Sequence, residues 1–273
     1  MLKKSLVTNC YVLGAGAFGV FVRWLQRQIA FDDNGLVSAS IWNIILVLYI
    51  GICCYLAWHY VSELHRDGYS VPGEFTAALK NSGVIYRGVR IVVGAVMVIG
   101  GAVLIFSCET DKEASLLRVV GLLGILSGVS YPLMLASANL EAPNRTFARL
   151  CSFVPMLFFA VWLIAAYKIN AINSVIWSYS IEIITISLCI LAFFRMAGFI
   201  FGSPSSRMSM FMAMITAFFC FMSLADSRYF GMQLMLIGAG LMLLFSNWLM
   251  IANLDYVEPE APEEPDDGFE RLK

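Results

Sequence analysis

Phe230–Ala252 reads FGMQLMLIGAGLMLLFSNWLMIA, and none of its side chains carries a charge. About 20 consecutive apolar residues cross the hydrocarbon of a bilayer as an α-helix. Seven further stretches of the same kind precede it: Leu6–Val22, Ile41–Tyr60, Ile91–Cys108, Leu116–Ala138, Phe147–Tyr167, Val175–Phe194 and Met208–Ala225. They are continuous runs, whereas a membrane β-barrel shows short segments of alternating hydropathy. The expected fold is all-α, a polytopic transmembrane helical bundle of eight spans over residues 1–254. Leu6–Val22 is the least apolar, with Thr8, Asn9 and several glycines, and dropping it leaves a seven-span alternative. Lys3 and Lys4 before it resemble the start of a signal peptide, but the apolar run continues through Phe18–Val22 to Arg23, which reads as an uncleaved span.

Composition leads to the same class. Of 273 residues, 60% are hydrophobic and 14% charged, with a mean hydropathy of +0.78. Soluble domains carry about 25% charged residues. A soluble fold of this length could not hide so much apolar surface, whereas lipid solvates it directly. The net charge of −1, with basic residues spread among the loops, excludes a nucleic-acid partner. The seven cysteines show no C-x-x-C and no Cys–His spacing for zinc, so they read as small packing residues.

Lysine and arginine concentrate in the connections that share a side with the N-terminus, including Lys3, Lys4, Arg87, Arg90, Arg145 and Arg149. Basic loops stay in the cytoplasm. The expectation is a cell membrane, plasma or bacterial inner, crossed many times with both termini cytoplasmic. Arg23 and Arg27 run against this bias. Val61–Arg90 is the long cytoplasmic connection; it reads first as a solvated connector, with a short interfacial helix at Pro72 and Gly73–Lys80 or a partner-docking segment as alternatives. Residues 255–273, with Pro259, Pro262, Pro265 and many carboxylates, read as a disordered acidic cytoplasmic tail.

Small residues recur inside the spans. Gly14-x-Gly16-x-x-Gly19 has the letters of a dinucleotide fingerprint but lacks the strand–turn–helix setting, so it reads as a helix-packing face. Gly121, Gly124 and Gly128 repeat the theme, and Ser130-Tyr131-Pro132 then interrupts the fourth span. Proline frees a carbonyl that must be covered by protein or face a cavity. Such a broken span can mark a transporter site.

Glu182 is the leading candidate for function, because an acid inside a span costs a few kcal/mol to insert and needs a partner or a proton. Ser178, Glu182, Thr185 and Cys189 share one helix face. Arg118, at the matching depth of the fourth span, is the expected partner. The candidate substrate- or proton-binding set is Glu182, Arg118, Ser178, Thr185 and Tyr131. A second polar ridge, Tyr55, His59 and Glu63, runs out of the second span and reads as an amphipathic helix end or a proton relay. Asn43, Gln233 and Asn247 are candidates for interhelical hydrogen bonds, and Trp24, Trp42, Trp58, Trp177 and Trp248 for an interfacial belt.

No motif for a nucleotide, haem, retinal, di-iron centre or serine nucleophile is present, so no cofactor, metal or catalytic residue is assigned and enzymatic activity is disfavoured. Two functional readings stay open. One is a small-molecule or ion-coupled transporter-like protein built around Glu182. The other is a noncatalytic subunit, scaffold or sensor, docking a membrane-protein partner or a second copy through glycine faces and residues 61–90.

Overall fold

The computed structural model describes residues 2–30, 40–80, 83–108, 114–140, 144–170, 176–226 and 228–256; within these, the side chains of 2–4, 40 and 176–178 are not described. The chain is 88% helical, with eight helices long and apolar enough to span a membrane. They are α1 (Leu2–Ile29), α2 (Ser40–Arg66), α4 (Val84–Ser107), α5 (Ala114–Ser137), α6 (Arg145–Asn170), α7 (Ile176–Phe201), α8 (Ser206–Met222) and α9 (Phe230–Ala252). A short α3 (Phe75–Leu79) and two two-residue strands, β1 (Tyr69–Ser70) and β2 (Asp255–Tyr256), lie outside the spans. All eight expected spans are present, including the first. Helix ends differ most where charged residues follow the apolar run: α2 continues through Glu63 to Arg66, and α4 begins before Arg87. Apolarity marks the hydrocarbon crossing, whereas arginine and glutamate propagate a helix well beyond it.

Helices α4 to α9 form a closed ring, each packed on the next, with α9 returning to α4. The ring interior is aromatic. Phe159 stacks on Phe193 at 5.7 Å between centroids, and Phe158 and the fully buried Trp162 complete the cluster. Helix α1 packs outside on α8 and α9, and α2 packs on α8 and α1. An even number of crossings places the starts of α1, α4, α6 and α8 on one side, here the termini face. Their other ends define the far face.

Glycines set the closest approaches. A Cβ on Gly94 would lie 2.5 Å from the Gly128 carbonyl oxygen, and one on Gly101 would lie 2.5 Å from that of Gly121. The two pairs sit seven residues apart along both helices, so α4 and α5 meet antiparallel, backbone to backbone. Gly100 and Gly231 do the same for α4 and α9. Lipid gives helices no hydrophobic reason to associate, so dispersion at such short range is what holds them. Gly16 and Gly19 receive Phe221 and Met222 of α8, while Gly14 faces open space.

The expected break at Ser130-Tyr131-Pro132 is absent, since α5 runs unbroken through Pro132. The carbonyl freed by the proline is that of Gly128. It lies against Gly94, and the Pro132 ring covers the same glycine. Protein thus seals it, and the helix has no cause to open there.

Residues 67–80 cap the termini face. β1 pairs antiparallel with β2, Tyr69 opposite Tyr256. Phe75, Ala78 and Leu79 are buried, and Asn253 donates to the carbonyls of Ala78 (2.9 Å) and Lys80 (3.1 Å). Ser206 donates to Val71 O at 2.8 Å. The segment is therefore not a solvated connector: a short helix forms, with its apolar side turned into the bundle. Residues 257–273 of the acidic tail lie outside the described residues.

Candidate functional site

Two features stand out among the described residues, an ion lattice on the far face and a groove beside α1. The lattice centres on Asp226, in the turn between α8 and α9. Its Oδ1 accepts from Arg23 Nε of α1 at 3.0 Å, and its Oδ2 accepts from Arg228 Nη2 at 3.1 Å. Arg23 is fully buried and also donates to Gln26 Oε1 at 2.6 Å; Gln26 in turn donates to Asn43 of α2. Arg27 donates to Ala225 O and Arg228 to Ser223 O. Glu182 Oε2 of α7 lies 3.3 Å from Arg228 Nε, with 13% and 5% of the two side chains exposed.

Three guanidiniums and two carboxylates therefore meet where four helices end. A buried ion pair adds little net stability, yet removing one partner strands the other charge, so such pairs fix geometry more than they add energy. The set has no nucleophile beside a base, and no group of three metal-ligating side chains occurs among the described residues.

Arg118 is not the partner of Glu182. It projects from the exposed side of α5, which packs on α4 and α6, whereas α7 packs on α6 and α8. Equal depth did not bring the two together because α6 stands between their helices. Thr185 is buried on the Glu182 face and bonds back to Ile181 O at 2.6 Å. The Ser178 side chain lies outside the described residues. Tyr131 lies apart from the lattice, fully buried, donating to Met242 O and bonded to Ser246 Oγ, both at 2.6 Å. Asn247 donates to Asn9, and Asn9 to Leu244 O, which pins α1 to α9.

The lattice members that sequence reasoning missed were Arg23, Gln26, Arg27, Asp226 and Arg228. Their signal was present: Arg23, Gln26 and Arg27 occupy one helical face, and Asp226 is an acid in a very short turn.

The groove runs between α1 and α2 with α8 as its floor. It has a volume of about 490 Å³, within the range of about 300–1,000 Å³ typical of ligand sites. Ala15, Cys53 and Ala57 are small residues on facing helices, and they leave the space. Val12, Met214, Ile215 and Phe218 form its apolar floor and wall, and the exposed Tyr11 and Leu56 stand at the rim. Two contacts bridge it: Tyr49 donates to Ala15 O at 2.6 Å, and Thr8 donates to Tyr60 Oη at 2.8 Å. Toward the termini face its lining ends in Glu63 and Asp67.

The ridge of Tyr55, His59 and Glu63 lies on the exposed side of α2. The ring centroids of Tyr55 and His59 are 5.9 Å apart, and His59 Nδ1 is 3.7 Å from Glu63 Oε2. Only Glu63 of this set also lines the groove. The fold and these sites define a multi-span helical membrane protein. No family model matches the chain, and no curated protein or solved structure shows significant similarity to it.

Proposed function

We propose that this chain is a noncatalytic, transporter-like membrane protein that takes the apolar tail of an amphipathic small molecule sideways from the bilayer. The observation that carries this reading is the groove: a large, half-open, apolar slot between two loosely joined helices, ending in polar groups on one side only. Both termini face the cytoplasm, on the argument of basic-residue excess.

The test is photolabelling in vesicles with a fatty alcohol bearing a diazirine in mid-chain. Label is expected on Val7–Ala15 and Cys53–Leu64 well above the lipid-facing residues Leu150, Phe153 and Leu157 of α6, and reduced in Ala57→Trp. Even labelling of all lipid-facing helices overturns the proposal.

A second reading keeps Glu182 as an ion- or proton-coupling group. Its support is that Arg228 Nε, though buried, makes an ion pair with Glu182 and no well-formed hydrogen bond. Glu182→Gln is then expected to abolish any pH dependence of ligand uptake; unchanged pH dependence removes the reading. The scaffold alternative draws less support, because Gly16, Gly94, Gly101, Gly121 and Gly128 are occupied by neighbours within the chain.

A further inference from the structure

Polarity along the groove is graded. Cys53, Ala57, Tyr60 and Leu64 follow one face of α2, and Asp67 continues it onto the termini face. At 1.5 Å per residue, Cys53 to Asp67 covers about 21 Å, enough for most of a long alkyl chain and its head. The deep part, among Ala15, Met214 and Phe218, offers only dispersion and the hydrophobic contact of lipid itself. The Thr8–Tyr60 hydroxyl pair marks the change to polar surroundings. Beyond it, the charged side chains lining the groove are Glu63 and Asp67, both acidic.

Glu63 does have basic neighbours, the His59 imidazole at 3.7 Å and the Arg66 guanidinium at 3.8 Å, on side chains 53% and 78% exposed. Exposed pairs of that kind are worth little and are screened by salt. Among the described residues, Asp67 has no cation within ion-pair distance. Lys3 and Lys4 begin α1 nearby in sequence, and their side chains lie outside the described residues.

Resting on the groove reading above, we propose that the amphiphile bound here carries a cationic amine head, held at the termini-face mouth by Glu63 and Asp67. Being of one sign, the two carboxylates attract a cation, with a strength that salt screens because both are exposed at the mouth. They repel a phosphate or sulfate head for the same reason. The tail supplies most of the affinity and the head sets selectivity.

The experiment compares three nitroxide-labelled amphiphiles of one chain length, a trimethylammonium, an alcohol and a sulfate, in phosphatidylcholine vesicles holding the full chain. The immobilised electron-spin signal present in wild type and absent in Ala57→Trp reports the groove. The ammonium is expected to exceed the sulfate by roughly tenfold in relative association, a difference of about 1.4 kcal/mol. The E63Q/D67N variant, altered only at exposed positions, should bring the three within about twofold while the tail signal persists.

Equal occupancy by all three heads in wild type overturns the head assignment and leaves the groove standing. So does a preference for the sulfate, above all one removed by K3Q/K4Q. Absence of a groove signal for every head overturns the underlying reading itself.

Discussion

Replacing Asp226 by alanine removes the hub of the far-face lattice. The carboxylate accepts one hydrogen bond from Arg23 at 3.0 Å and another from Arg228 at 3.1 Å. Hydrogen bonds to charged groups contribute about 1.5–3 kcal/mol each, so the two together bound the loss at about 3–6 kcal/mol. Arg23 retains Gln26, and Arg228 retains Ser223 O and Glu182, which places the expected cost near the lower bound, about 3 kcal/mol. The loss arises from a stranded charge, since Arg23 is fully buried. Removing that charge as well should therefore recover stability: Arg23→Leu combined with Asp226→Leu is expected within about 1 kcal/mol of wild type. The assay is unfolding in mixed micelles by graded sodium dodecyl sulfate, followed by far-ultraviolet circular dichroism. The reasoning is refuted if Asp226→Ala unfolds at the wild-type midpoint, or if the double variant is no better than the single.

Further outcomes follow from packing and topology. Gly101→Val should cost at least about 2–3 kcal/mol, because its Cβ meets the Gly121 carbonyl oxygen, which cannot move aside. Gly14→Ala should be neutral or slightly stabilising in the same titration, since open space surrounds that position and alanine favours helix. Tyr131→Phe should lose about 1 kcal/mol, since the phenol's two bonds go while Ser246 still donates to the Met242 carbonyl. Cysteines placed at Glu74 and at Tyr229 should react from opposite sides with a membrane-impermeant maleimide, Glu74→Cys only after the cytoplasmic side is opened; the reverse pattern would invert the orientation.

The spans were legible because hydropathy has one cause in a membrane, the solvent outside each helix, and the run over Phe230–Ala252 states it directly. Partnership was not legible, because it depends on which helices are neighbours. Glu182 was visible as an acid needing a cation, yet its cation came from the α8–α9 turn, since α6 separates α7 from α5. The glycines were legible as packing residues by type, while their use was a matter of register: Gly94 and Gly128 close the helix that Pro132 would otherwise open. The groove was the least visible feature, because a void has no residue of its own. It arises from small side chains on α1 and α2 that become facing only after both have docked on α8.

That docking is unequal. The ring from α4 to α9 closes on itself, and 78% of the apolar window of α9 is buried against 17% of that of α2. Helix α1 is tied to the ring at both ends, by Arg23–Asp226 on the far face and by Asn9–Asn247 toward the termini face. Helix α2 is held to α1 by Gln26–Asn43, Tyr49–Ala15 and Thr8–Tyr60, and to α8 by Arg207, which donates to Ser62 at 2.7 Å and lies over the Trp58 ring, yet little of it is buried. Loose packing with few buried contacts is the physical content of low local stability. A wall that yields beside a firmer floor would suit the lateral uptake proposed above, and α2 is the less buried wall. Fastening α2 to α1 should therefore slow ligand exchange while the ring stays as stable as before. An Ala15→Cys/Cys53→Ala/Ala57→Cys chain crosslinked across the groove should stop diazirine labelling of Cys53–Leu64, and unchanged labelling in the crosslinked protein would show that α2 is not the moving part.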